Sequence, residues 1–432
     1  MQESAASGHR PGDHGMSQDS SALLKSTDPS PGPGTAGSPP LPTGFAGSPP
    51  EAGTPAEVPE LIATQHGMEH LLEQLEQRMS PDDRRIALDL EADSLHNYRE
   101  KICLIQIGRD DLFGLIDPLA DIDLTPLLRW LDGCEIWTHG ADYDMALLKR
   151  TFGHIPPRLL DTQIAARLAG ARSFGLAATV LSWFDVELSK ASQRADWSRR
   201  PLPDKMLLYA IDDIRYLLPL SERLLTRLAE LGRVDWFHQS CNWARESVLK
   251  RPERDPDDIW RINGAGRLDR KGLALLRALW AWRDSEACRK DKPPFKVLNN
   301  EQLLGIVDAA ANSRHVHLPK RWPGARRHAL MKVITDALAL PEEQWPRRRR
   351  GGPRATPPEG HEELLSALLQ RRNELEERLA IDRSLIASRA VLEDIVIGGA
   401  DPASRLMNWQ LKLMFPDLAG DAAPDQSAAT GE

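Results

Sequence analysis

No stretch of this chain is apolar for long enough to cross a bilayer. The longest uncharged, mainly apolar stretches, such as Ser173 to Phe184, fall well short of the roughly 20 residues that a spanning helix needs. The N-terminus carries no basic segment followed by an apolar block, so no secretory signal is expected. Cysteine is scarce and scattered. Cys103, Cys134, Cys241 and Cys288 form no CxxC pair, which excludes the usual spacing of a structural zinc site. Reduced thiols and a cytoplasmic location are the expectation. Net positive charge is missing too, since the formal balance is −8. The distribution matters more than the sum. Residues 261–354 hold 21 Lys and Arg against 9 Asp and Glu, a local balance of +12, so the remainder carries about −20.

At 432 residues the chain is too long for one core, and two or three domains are expected. Residues 1–57 read as a disordered tail, because 11 of the 33 prolines lie within residues 1–59 among Gly, Ser, Thr and Ala. The pattern then changes. Residues 67–79 predict a helix with Met68, Leu71, Leu72 and Leu75 on one face. The runs Arg85–Leu90, Lys101–Ile107 and Leu112–Ile116 predict three strands of an antiparallel meander. A helix over 124–131 and a strand over Glu135–Thr138 follow. Beyond them come helices over Asp142–Thr151, Thr162–Leu168 and Pro203–Leu228. Strands first, then strand and helix alternating, imply a mixed sheet flanked by helices. Residues 236–260 read as a connector. Further helices are expected over 268–285, 300–310 and 324–339, and again from about His361 to Met414.

Carboxylates recur at spacings that could hold a cation. Asp89 and Glu91 are two apart at the end of the first predicted strand, so both side chains share a face. Such a pair is usually just solvated. Asp144 falls in the first turn of the helix that follows His139-Gly140-Ala141, where its ordinary use is to complement the helix dipole. Asp142 is the better N-cap, and His139 reads as a hydrogen-bonded strand-end residue rather than a ligand. Tyr209 and Asp213 are four apart and share a helix face, with Asp212 off that face and spare. Each feature alone is ordinary; their ordered conjunction is not.

Asp89, Glu91, Asp144, Tyr209 and Asp213 together resemble the DEDDy exonucleases. Three flanking stretches resemble ribonuclease D in particular: Leu104-Ile105-Gln106-Ile107, Leu160-Asp161-Thr162-Gln163-Ile164-Ala165 and Asp196-Trp197-Ser198-Arg199-Arg200-Pro201-Leu202. Ala195 departs from the Ser or Thr common in that family, and removes no metal ligand. Trp197 reads as core and Asp161 as a cap. The resemblance implies an α/β ribonuclease H-like exonuclease domain with a five-stranded mixed sheet over residues 58–232. It also implies 3′→5′ hydrolysis of RNA to 5′-mononucleotides with two divalent ions, Mg²⁺ or Mn²⁺. By the same analogy Asp89, Glu91 and Asp213 hold the ion that activates water, Asp89 bridges to the second, and Asp144 supports that second ion through water. Tyr209 orients the water rather than ionising, since an ordinary tyrosine titrates near pH ~10.

Residues 268–310 are similar to the helicase-and-ribonuclease-D C-terminal (HRDC) bundle, through Gly272–Arg283 and Lys292-Pro293-Pro294-Phe295-Lys296. At least one of Trp280 and Trp282 belongs to its core. Residues 361–414 resemble a second, diverged copy, with Ile381-Asp382-Arg383 and Asn408-Trp409 in corresponding places. The expected organisation is a connector over 233–262, an HRDC domain over 263–345, a basic linker over 346–360, an HRDC-like domain over 361–416 and a tail over 417–432. RNA, including tRNA precursors, is the implied partner, held through phosphates by the C-terminal helical domains. A Werner-type DNA exonuclease and a catalytically dead binding module are the alternatives. The first shares the motifs, while the second requires a missing carboxylate. Replacing Arg347–Arg350 with serine is expected to weaken RNA binding and flatten its salt dependence, and an affinity unchanged from the parent protein at both low and high salt would count against a tethering role.

Overall fold

The computed structural model describes residues 58–253, 255–320, 322–348 and 357–418. The tail expected over 1–57 and most of that over 417–432 lie outside the described residues. The described chain forms two compact units. One, the sheet unit, comprises residues 58–92, 102–251 and 357–418, and the other, the helical unit, comprises residues 93–101 and 252–348.

The sheet unit is built on six strands: β1 (Leu61–Ile62), β2 (Arg85–Ala92), β3 (Ile102–Arg109), β4 (Leu112–Ile116), β5 (Glu135–Thr138) and β6 (Leu159–Asp161), in the order β1-β4-β3-β2-β5-β6. The meander β2-β3-β4 is antiparallel, as its pattern implies, and β5 and β6 continue beside β2 in parallel. The sheet has one strand more than the five expected. β1 is a two-residue piece paired in parallel with β4, too short to carry any alternation of its own.

Eight helices accompany the sheet: α1 (Gln65–Gln77), α2 (Thr125–Asp132), α3 (Asp142–Phe152), α4 (Thr162–Leu168), α5 (Leu176–Phe184), α6 (Asp204–Arg215), α7 (Leu217–Glu230) and α8 (Val234–Lys250). The single helix expected over Pro203–Leu228 is two. Pro219 has no N–H to give the Arg215 carbonyl, so the chain restarts as α7 with the proline in its first turn. The expected connector is also corrected in part, because Val234–Lys250 is a 17-residue helix whose buried side chains include Phe237, Cys241 and Val248. Their spacing of four and seven follows one helix face, but the polar residues between them mask it. Lys149 fastens the end of α8 to α3 by donating to the carbonyls of Val248, Leu249 and Arg251 at 2.8–3.1 Å.

Strand β2 decides which residues meet which helices. Ile86, Leu88 and Leu90 enter the larger core with Met68, Leu71 and Leu75 of α1. Ala87, of opposite parity, packs against Ile214 and Leu217. Met206, Leu207, Ala210 and Ile211 of α6 join Leu104 and Leu115. Asp89 and Glu91 share the parity of Ala87, so they stand on the sheet face that α6 covers.

In the helical unit α9 (Arg270–Arg289), α10 (Pro294–Val297), α11 (Asn300–Ala311) and α12 (Gly324–Leu338) surround Leu276, Leu279, Trp280, Leu303, Val307 and Leu330. Asp269 caps α9, and Asn299 with Gln302 forms a capping box on α11. Trp280 is core, whereas Trp282 is half-buried against Trp322, over which Arg326 stacks at 3.9 Å. Residues 93–101, between β2 and β3, belong to this unit. Tyr98 donates its hydroxyl to Asp284 at 2.7 Å and its N–H to the Asp291 side chain at 3.1 Å. Of the basic run, Arg348 donates to the Leu268 carbonyl at 2.8 Å, while Arg349 and Arg350 lie outside the described residues.

The C-terminal helices α13 (His361–Leu379), α14 (Arg383–Ile386), α15 (Arg389–Val396), α16 (Pro402–Arg405) and α17 (Asn408–Met414) belong to the sheet unit. Their first half repeats a device of α9–α11. Arg283 and Arg372, both buried, each donate to a carbonyl 15 residues later, Leu298 and Ala387, at 3.3 Å. In each case that carbonyl residue is extended and separates a four-residue helix from a capped one.

The Asp196–Leu202 segment leads into α6 and is held from within. Arg200 donates to both oxygens of Asp117 at 2.6 and 2.7 Å, and to the carbonyls of Trp197 and Cys103 at 2.7 Å. Burial opposes ionisation of Asp117, but the guanidinium overrides it and holds the carboxyl below its ordinary pKa. Arg200→Ala leaves that carboxylate buried without its ion partner and is expected to cost about 3 kcal/mol in urea unfolding. A loss under ~1 kcal/mol would show that the pair does not anchor the segment.

Candidate active site

The site begins with the register of two strands. Asp89 is paired directly with Gln106 of β3, and Glu91 with Leu104, so each pair points to one face of the sheet. The ladder shifts between Glu91 and Ala92, ending the strand just past the second carboxylate. Asp89 and Glu91 are 4% and 7% exposed. Gln106, fully buried, directs its side-chain amide to Asp89 Oδ2 at 3.4 Å. Gln106 carries no role in the motif pattern; its only local signal is a lone amide within the apolar run Ile102–Ile107, and only the strand register sets it opposite Asp89.

Helix α6 brings the third carboxylate. Ala210, Ile211 and Ile214 are buried against the sheet, which leaves Asp213 half-buried above β2. One carboxylate oxygen each from Asp89, Glu91 and Asp213 lies within 4.8 Å of the others. Tyr209, one turn before Asp213, is half-buried and tilted against Trp197 with ring centroids 6.1 Å apart. Trp197 itself is 1% exposed and is core, not a surface platform. Asp212 turns away toward Arg215 at 3.7 Å, and burial raises its pKa against that cation's pull.

Asp144 is fully buried in the first turn of α3 and stands outside the three-carboxylate group. The turn before it is held differently from the expectation. Asp142 is not the cap. It is the first helical residue, half exposed, and pairs with Arg251 at 2.7 Å, while Ala141 occupies the cap position without a side-chain bond. The missing acceptor comes from β6. The Asp161 carboxylate accepts the N–H groups of Gly140 at 2.9 Å, Ala141 at 3.0 Å and Gln163 at 2.8 Å. It caps α4 and the turn ahead of α3 at once. Gly140 lies at φ +75°, a region that a side chain strains to occupy. Both ring nitrogens of His139 are engaged, one with Thr162 at 2.9 Å and one with the Phe174 carbonyl at 2.8 Å, so the ring is a fastener rather than a ligand.

The donor set fits a hard divalent cation. Three carboxylates this close repel one another, and burial sharpens the repulsion. All the donors are oxygen, with no sulfur or imidazole in the group, which suits Mg²⁺ or Mn²⁺ better than zinc.

Known proteins resemble this chain over both its sheet-containing and its helical parts. A 3′-5′ exonuclease family model matches residues 59–229, and an HRDC domain model matches residues 272–315. The chain is 33% identical over 312 residues to a ribonuclease D of Gluconacetobacter diazotrophicus, covering 69% of this chain and 77% of that protein. It is 31% identical to the Xanthomonas oryzae ribonuclease D, covering 80% of this chain and 95% of that one. The crystal structure of Escherichia coli RNase D, described as an exoribonuclease involved in structured RNA processing, superposes with a TM-score of 0.62 at 26% identity. That match spans 83% of this chain and 97% of the other. Sheet register, carboxylate group and these likenesses agree, and the chain belongs to the ribonuclease D family.

Proposed function

We propose that this 3′→5′ exoribonuclease uses Asp89, Glu91, Asp144 and Asp213 to hold two divalent ions, and Tyr209 to orient the water that cleaves the terminal phosphodiester. The observation that carries the reading is the approach of Asp89, Glu91 and Asp213 to within 4.8 Å, with Tyr209 one turn before Asp213. In this reading those three would hold one ion, Asp89 would be shared with the second, and Asp144 would support the second through water. Bound there, the pair would stabilise charge on the attacking and leaving oxygens of the phosphodiester. The Tyr209 hydroxyl would present the attacking water to the phosphorus, and the strand would leave as a chain one nucleotide shorter, releasing a 5′-mononucleotide. Gln106 would keep Asp89 in one rotamer through its amide.

RNA is the substrate that the family implies, and the trimming of tRNA 3′ ends in the cytoplasm is the role proposed here. Phosphate contacts are assigned to the helical unit, where Arg289, Lys292, Lys296, Arg327 and Lys332 are exposed. No helix of the described residues is long and apolar enough to cross a membrane. The organisation proposed from the sequence is kept with two changes: α8 joins the exonuclease domain, and residues 361–416 form an HRDC-like copy packed within the same unit.

Asp89→Ala is expected to abolish mononucleotide release from 3′-labelled RNA while leaving the circular dichroism spectrum unchanged; normal activity would remove Asp89 from the mechanism. Tyr209→Phe should lower kcat by roughly 10²-fold or more with little change in KM, as expected for a water-orienting hydroxyl. Chelation should stop hydrolysis, and Mg²⁺ or Mn²⁺ should restore it. Run on matched RNA and DNA, the same assay tests the substrate, since equal or faster release from DNA would favour the Werner-type alternative.

A further inference from the structure

Resting on this reading of the site, we propose that the C-terminal bundle α13–α17 is a brace for the turn before Asp144 rather than an RNA-holding arm. Arg233 is the positioning residue that joins the two. Charge sets the bundle apart from the helical unit. Residues 361–418 contain 7 Lys and Arg against 10 Asp and Glu, an acidic balance that repels a phosphate backbone. Even its few cations are partly spent internally. Arg372 is buried on the Ala387 carbonyl, and Arg371 donates to the Leu413 carbonyl.

What the bundle does contact is the frame of the catalytic centre. Trp409 of α17 is 2% exposed, stacks on Trp236 of α8 at 4.7 Å and 11°, and joins the core cluster of Trp137, Leu160 and Phe237. Its backbone N–H donates to Gln239 Oε1 at 3.2 Å. Arg233, 6% exposed, donates to the carbonyls of Leu168 and Leu379, both at 2.7 Å. These are the last residues of α4 and α13, so one cation closes two helix C-termini. Beside it, Gly170 lies at φ +98°, and a Cβ there would come 2.8 Å from the Ala380 carbonyl, so the bundle's backbone abuts the end of α4.

Helix α4 has seven residues, a rod of about 10 Å, and its other end is fixed to the catalytic turn. Asp161 accepts the N–H groups of Gly140 and Ala141, and Thr162 donates to the Thr138 carbonyl at 2.8 Å. Docking the bundle therefore sets the position of α4, and α4 sets the turn from which α3 presents Asp144. Arg233 touches neither substrate nor ion; it acts through that turn.

The test compares Arg233→Met and Trp409→Leu with the parent protein. Mn²⁺ affinity is read by calorimetry without RNA, and RNA affinity in chelator at low and high salt. Both variants should lose roughly tenfold in Mn²⁺ affinity, the scale of losing an outer support of a metal site. RNA affinity should stay within about twofold at both salts, with kcat falling and KM held. Arg233→Lys should recover part of the Mn²⁺ affinity, and it carries the test if Arg233→Met does not fold. Unchanged Mn²⁺ binding in the variants would overturn the brace, as would weaker RNA binding with a flatter salt dependence, the signature of an RNA arm. Asp144→Asn, measured alongside, separates the two failures. Full activity there removes the site reading, whereas an inactive Asp144→Asn beside normal Arg233 and Trp409 variants removes only the brace.

Discussion

Three like charges are held closer together than they would choose to be. Asp89, Glu91 and Asp213 approach within 4.8 Å, two of them almost wholly shielded from water. Such an arrangement calls for a compensating cation, and the surrounding packing fixes where the carboxylates stand. β2 is flanked by β3 and β5, so its pleat cannot turn over without placing Ile86, Leu88 and Leu90 on the wrong side of the sheet. α6 is pinned by its own apolar face. The burial of two hydrophobic surfaces thus sets the separation of the carboxylates.

Small details let the elements approach closely enough. Ala87 presents only a methyl group where Ile214 and Leu217 cross β2. Gly108 in β3 lies where a Cβ would sit 2.5 Å from the Phe113 ring and 3.1 Å from Ile214, so a larger residue would force the ring and the helix side chain aside. On the other side of β2 the frame is polar rather than apolar. Asp161, His139 and Thr162 tie β5, β6, α3 and α4 together through hydrogen bonds to backbone and to each other. Apolar packing places one half of the site, and buried acceptors place the other.

Much of this could be read before any coordinates. The short apolar run Arg85–Leu90 predicts a strand, which puts Asp89 and Glu91 on one face, and the i, i+4 spacing pairs Tyr209 with Asp213. Local periodicity is enough for such statements, because it depends only on residues a few positions apart. The cap position ahead of α3 departs from expectation for the same reason: Asp142 is the first helical residue and not the cap. Its chemistry and position suit a cap, but a distant acceptor, Asp161 of β6, takes the two N–H groups ahead of α3 and leaves Asp142 to pair with Arg251. α8 is masked in the sequence because Phe237, Cys241 and Val248 are diluted by polar neighbours such as His238, Gln239, Ser240 and Asn242.

The sequence by itself determined which carboxylates are candidates, in what order and on which faces of which elements they fall, and that basic charge is concentrated over residues 261–354. Those are properties of local spacing and composition, and they survive without a fold. Only the tertiary structure decided that Gln106 faces Asp89, that Asp161 rather than Asp142 holds the turn before α3, and that the acidic C-terminal helices pack against α8. Each of these depends on register or on contacts between residues far apart in sequence, and such contacts are chosen by the packing of whole elements rather than by any residue's own preference.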